Sequence, residues 1–165
     1  MQEEEDKVKV GFKKVHPDAK LPTYAHEGDA GMDVCAVEDV DLLMFTPTLV
    51  NTGLVADIPE GYEIQVRPRS GLALKYGITV WNSPGSIDSG YRGQIGIILL
   101  WSPYGLADKE RRKEGVIVVP EKYTIKKGER IAQLVLSPVT TCAPVEVQDV
   151  SETERGSGGF GSTGI

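Results

Sequence analysis

Five short stretches of this chain set carboxylates, arginines, hydroxyls and glycines where they interrupt otherwise apolar runs. In Ala30-Gly31-Met32-Asp33, a carboxylate beside a glycine could anchor a metal-bound water or simply close a turn. In Pro68-Arg69-Ser70-Gly71-Leu72, Ser70 falls where a short helix should begin. Free helix N–H groups, the positive end of the helix dipole and Arg69 together suit a phosphate. The plain alternative is that Ser70 caps the helix while Arg69 sits in solvent. Residues Gly85 to Gly93 (GSIDSGYRG) read as a tight hairpin with one acid and one aromatic at its tip. There Asp88 could act as a general base toward water, or Asp88 and Tyr91 could be turn and surface residues only. In Gly128-Glu129-Arg130-Ile131-Ala132-Gln133, a turn precedes a strand that either presents Gln133 inward or is an edge strand with polar residues outward. The tail 155–164 (RGSGGFGSTG) combines Arg155, Phe160, Ser162 and Thr163 with five glycines. Those are the parts of a lid that could stack an aromatic on a base and donate to a phosphate; a disordered terminus is the alternative.

The elements that must position these residues are short. Apolar residues alternate from Val8 to Val15, the period of a half-buried strand. Residues 21–36 read as a loop leading into a short strand. Further strands are expected at 49–58, 62–67, 78–81, 94–101, 116–119, 130–136 and 144–147, with Pro59-Glu60-Gly61 as a turn. Ser70–Tyr76 is the best helical segment, about two turns long. Many short strands punctuated by 19 glycines and 10 prolines point to an all-β sandwich, jelly roll or small barrel. With 165 residues, no repeat and no break in composition, a single domain is expected over 1–165.

Composition excludes several classes of function. A net charge of −6 and a pI near 5.0 speak against binding duplex nucleic acid, which needs a basic face. An acidic protein can still hold a nucleotide if its cations are gathered locally. Cys35 and Cys142 lie far apart and cannot staple a domain of this size. His16 and His26 have no Cys or His nearby, so a dedicated zinc site is not expected. No apolar run approaches the roughly 20 residues of a membrane span. The acidic start MQEEEDK lacks the layout of a signal peptide. The expectation is a cytoplasmic protein with reduced thiols and an acidic, solvated tail over 1–7.

In this order, AGMD at 30–33, PRSGLA at 68–73, NSPGSIDSGYRG at 82–93, GERIAQL at 128–134 and RGSGGFGSTG at 155–164 closely resemble the five motifs of the trimeric dUTPase family. The resemblance implies a jelly-roll homotrimer with active sites between subunits. It also implies cleavage of dUTP to dUMP and pyrophosphate, which limits uracil in DNA and supplies dUMP for thymidylate synthesis. By that resemblance, main-chain groups around Gly85 and Ile87, with Asn82, hold uracil, and Tyr91 packs on deoxyribose and excludes a 2′-hydroxyl. Asp88 activates the water that attacks the α-phosphorus. Arg69, Ser70, Gly71 and Gln133 contact phosphates, and Arg155, Phe160, Gly161, Ser162 and Thr163 close from the flexible lid 155–165, with Phe160 over the base. Magnesium is held by phosphates and waters rather than by direct protein ligands, with Asp33 as an outer partner of its water shell.

The chain departs from the family at 102–119, an insertion carrying seven successive charged residues (108–114) and the apolar GVIVV. A surface excursion accounts for it; a docking element for a protein partner is the sharper reading. The related dCTP deaminase branch resembles an RSSxxR motif with a later glutamate. Here Gly71, Leu74 and Ile98 stand at those three places, which argues against deamination. A catalytically idle trimer used for binding would have no need of Asp88, Tyr91 and the tail together.

Overall fold

The computed structural model describes residues 7–103, 112–113, 116–117 and 120–159. Among these described residues thirteen strands and one helix follow in order: β1 Gly11–Lys14, β2 Met32–Cys35, β3 Val40–Leu43, β4 Thr48–Asn51, β5 Leu54–Asp57, β6 Tyr62–Arg67, α1 Ser70–Tyr76, β7 Ile78–Val80, β8 Gly85–Asp88, β9 Gly96–Trp101, β10 Arg112–Lys113, β11 Val116–Ile117, β12 Lys122–Ile125 and β13 Arg130–Pro138. One sheet runs β2-β13-β6-β8 and a second β4-β9-β7; β1 pairs with β5, β3 with β12, and β10 with β11, all antiparallel. The architecture is the expected all-β, jelly-roll-like one with a single short helix. The core is apolar and continuous, with Trp101, Leu42, Leu54, Ile64, Ile97, Leu99 and Leu134 almost wholly removed from water.

Alternation sets which side of each strand faces that core. In β6, Ile64 and Val66 are buried while Glu63, Gln65 and Arg67 lie on the other face. Glu63 and Arg67 are joined along that face through Gln65: its amide donates to Glu63 (2.7 Å) and its carbonyl accepts from Arg67 (2.7 Å). Buried Thr52 is satisfied, its hydroxyl donating to the Ile95 carbonyl (2.7 Å) and accepting from the Leu54 amide (3.3 Å).

Several expectations are corrected. Residues 49–58 form two strands, because Gly53 takes φ +68° and sits so close to His16, Val37 and Ala19 that no side chain would fit. Strands at Val40–Leu43 and Lys122–Ile125 were not anticipated. They pair with each other and are tied across the ladder by Lys122–Asp41 (2.6 Å) and Thr124–Asp41 (2.6 Å). Residues 144–147, expected as a strand, are irregular; Val145 is 78% exposed and no described segment pairs with them. Of the strand expected over 8–15 only Gly11–Lys14 is one; of 116–119, Val116–Ile117 form a strand and 118–119 lie outside the described residues. Most of the 102–119 insertion, and the acidic start, lie outside the described residues.

Residues 85–93 are not a tight hairpin. The flanking strands β7 and β9 do pair, Val80 opposite Leu99, but between them the chain crosses to the other sheet, where Gly85–Asp88 adds to β6 as an edge strand. The stretch leading into β8 contains a cis Ser83–Pro84 peptide.

Candidate active site

Beside β8 the chain forms a hollow of about 190 Å³ lined by Ser86, Ile87, Asp88, Tyr91, Gln94 and neighbours. Asp88 ends the strand opposite Glu63, and its carbonyl accepts from the Tyr91 amide (3.0 Å) in the turn that follows. The Asp88 side chain is exposed in this hollow and open to solvent. The Tyr91 ring folds back and its hydroxyl donates to the Gln94 carbonyl (3.2 Å). Gly93 makes that pose possible: a Cβ there would fall on the Tyr91 hydroxyl and within 2.9 Å of ring carbon Cε2. Asn82 lies over Gly85, whose missing side chain leaves the Asn82 amide room; a Cβ would come 3.1 Å from its nitrogen. Ile87 is buried beneath the hollow.

Across from Asp88, the Glu63 carboxyl is held below the usual range, first by its hydrogen bond from Gln65 and then by one from Ser86. Glu63 therefore stays ionised and places a negative charge across the ladder from Asp88.

A second cluster lies at the start of α1. Arg69 occupies the N-cap with φ −90° and ψ 125° and makes no side-chain capping bond, so Ser70 is the first helical residue rather than the cap. Gly77 ends the helix in the left-handed conformation, its N–H reaching the Ala73 and Leu72 carbonyls. Arg69 is not free in solvent: Nε donates to Asp33 Oδ1 (2.9 Å) and Nη1 to the Arg130 carbonyl (3.0 Å). Asp33 is only 7% exposed. Its other oxygen, Oδ2, accepts from Arg130 Nη1 (2.9 Å). Gln133 stands opposite Asp33 on β2 and Arg67 on β6, half-buried beside Gly31. Ser70 and Gly71 are exposed at the first turn. Nearby Cys35 is half-buried, and burial pushes its thiol up against the lowering influence of Lys20.

The structure thus brings Asp33, Arg69 and Gln133 together and, separately, Asn82, Gly85, Ile87, Asp88 and Tyr91. Arg155 is apart in its own turn, with Nε donating to the Gly158 carbonyl (2.8 Å). Phe160, Gly161, Ser162 and Thr163 lie outside the described residues. Sequence reasoning missed Arg130, Gly93 and Gln94. The signal for Arg130 was present as two consecutive apolar residues, Ile131 and Ala132, which break the alternation of a regular strand.

Among the described residues no group of three or more His, Cys, Asp or Glu could hold a metal ion, and the one buried carboxylate is flanked by two guanidinium groups. That donor set repels a bare dication and suits anionic oxygens, so magnesium fits here only in company with phosphates.

Comparison with known proteins gives the family. The dUTPase family model matches residues 17–164. The deoxyuridine 5'-triphosphate nucleotidohydrolase of Hydrogenobaculum sp. is 48% identical over 159 residues, covering 96% of this chain and 99% of the relative. That of Wolinella succinogenes is 45% identical over 158 residues, covering 96% and 95%. Among solved structures, the Staphylococcus bacteriophage 80alpha dUTPase with dUPNHPP superposes with a TM-score of 0.80 at 32% identity, covering 96% of this chain and 100% of that one.

Proposed function

The chain belongs to the dUTPase family, and from that premise we propose that it hydrolyses dUTP to dUMP and pyrophosphate. The observation that carries this reading is the hollow in which Asp88 and Tyr91 stand side by side. Asp88 is the base that orients and deprotonates the water attacking the α-phosphorus, and Tyr91 packs on the deoxyribose and leaves no space for a 2′-hydroxyl. Asn82 and the main chain around Gly85 and Ile87 hold the uracil edge. Arg69, Ser70, Gly71 and Gln133 receive the phosphates, with Arg155, Phe160, Gly161, Ser162 and Thr163 closing from the tail, Phe160 over the base.

Rate enhancement then comes from positioning and from neutralising charge on the phosphate oxygens. Magnesium enters as part of the substrate, held by the phosphates and waters, where it would draw charge from the phosphate oxygens. Each oxygen of Asp33 keeps a lone pair beyond its arginine contact, through which a water of that ion's shell would be reached.

We further read the working form as a homotrimer with sites completed between subunits. Asp88 pairs with Glu63 at one end of β6, and Gln133 pairs with Arg67 at the other. At about 3.3 Å per residue these ends are roughly 13 Å apart along the strand, and the two residues are also two strand positions apart. Within one chain Asp88 and Gln133 cannot reach the same phosphate, which favours a neighbouring subunit supplying one of the groups. The proposed product dUMP feeds thymidylate synthesis, and removal of dUTP limits uracil in DNA; location in the cytoplasm and a single domain over 1–165 belong to the same proposal.

The test is pyrophosphate release with magnesium from dUTP, dCTP, dTTP and UTP, for wild type and Asp88→Asn. Turnover of dUTP alone, reduced by at least about a thousandfold in the variant, is expected of a lost general base together with lost water orientation. A well-folded wild type that cleaves none of the four would refute the enzymatic reading.

A further inference from the structure

Arg130 is the residue of this site that the motif-by-motif reading leaves without a task, and its placement depends on a local irregularity. In β13, Arg130 pairs with Cys35 of β2 while Ala132 pairs with Val34, so Ile131 is an extra residue on one strand. This is a β-bulge, a device that re-aims side chains. Without it, Arg130 and Gln133, an odd number of positions apart, would lie on opposite faces of the sheet. With it, Ile131 and Ala132 both point into the core (1% and 0% exposed), and Arg130 joins Gln133 and Asp33 on the outer face.

We propose that Asp33 is a positioning residue whose single carboxylate holds Arg69 and Arg130 as a paired cationic clamp for the outer phosphates of the substrate, with the bulge at Ile131 aiming Arg130 into place. This rests on the reading of the chain as a dUTPase. One arginine would satisfy the charge of Asp33; the second leaves the trio with a net positive charge. Of five N–H donors each, Arg69 spends two and Arg130 one on the contacts described. Burial is graded in the sense a clamp requires: the Asp33 side chain is 8% exposed, that of Arg69 24% and that of Arg130 54%. The anchor is dry and the free donors face outward. Two planar forks held by one carboxylate have less freedom to lose when an anion binds, and they fit two adjacent phosphates better than one.

The proposal is tested on the full-length protein by measuring the affinity of dUMP and of the imido analogue dUpNHpp for wild type, Arg130→Gln, Asp33→Asn and the double variant. Arg130→Gln is expected to weaken dUpNHpp about tenfold or more while changing dUMP less than about twofold. Asp33→Asn should do the same, and the double variant should lose little more than Asp33→Asn alone, because the two act as one unit. Equal weakening of both ligands would reduce the trio to a structural role and overturn the clamp, as would unchanged affinity for dUpNHpp. Unfolding midpoints identify any variant that fails to fold. Should Asp33→Asn do so, the half-exposed Arg130 carries the test. A wild type that does not cleave dUTP would defeat the dUTPase reading itself, whereas an active wild type with unaffected variants defeats only the clamp.

Discussion

Replacing Gly93 with alanine perturbs the site through one contact. The added Cβ would overlap the Tyr91 hydroxyl and come within 2.9 Å of Cε2 of the ring, a separation no real pair of atoms keeps. Gly93 is not among the glycines with positive φ, so the backbone itself can accept alanine. The burden therefore falls on Tyr91. Tyr91 is 48% exposed and its hydroxyl is held by one bond to the Gln94 carbonyl, so its ring can swing outward. Escape of that kind keeps the stability loss at or below the low end of the 1–3 kcal/mol typical of overpacking. The catalytic effect is larger, because a shift of about 1 Å in a positioning group costs on the order of a hundredfold. We expect kcat/KM for dUTP to fall about 10- to 100-fold while that for UTP falls less, so that the preference for the deoxy sugar narrows by at least about tenfold. Pyrophosphate release from each nucleotide, beside a thermal melt, measures both quantities. An unchanged dUTP-to-UTP ratio in a folded Gly93→Ala protein would refute the claim that Gly93 sets the pose of Tyr91 and that this pose reads the sugar.

Removal of residues 155–165 is expected to leave the fold and its unfolding midpoint intact and to remove most turnover of dUTP, at least about tenfold; normal turnover by the truncated protein would exclude a lid at that end of the chain. Thr52→Val should lower stability by about 1–3 kcal/mol, because it removes the bond to the Ile95 carbonyl and leaves that buried oxygen and the Leu54 amide without the hydroxyl. Denaturant unfolding reads that loss, and a change below about 0.5 kcal/mol would place the Thr52 network among bonds that water replaces at no cost.

How much of this was legible in the sequence varies with the kind of signal. Strand Tyr62–Arg67 and helix Ser70–Tyr76 were read with their observed limits, because strict alternation in one and a glycine at the end of the other are local properties. The break between β4 and β5 was not, since it follows from how closely Gly53 meets His16, Val37 and Ala19, residues distant in sequence. Residues 85–88 have the composition of a turn and become a strand only because β6 offers them an edge. Residues 144–147 show the converse, a strand pattern with no described partner. Candidate site residues were proposed from the motifs that carry them, although not every motif residue was singled out. Arg130 was missed because alternation counted from Gln133 puts it on the wrong face until the bulge is known.

That bulge makes the pairing of β2 with β13 sensitive to length rather than to composition. Conservative exchange of Ile131 for another branched apolar residue would leave the arginine where it is. Gain of a single codon between Val34 and Cys35 would give Ile131 a partner and restore a regular ladder, and it would turn the Arg130 guanidinium toward the apolar core. An insertion in the partner strand, more than an exchange of one side chain, is therefore what inheritance must avoid at this place, whereas a surface loop can gain or lose residues at little cost.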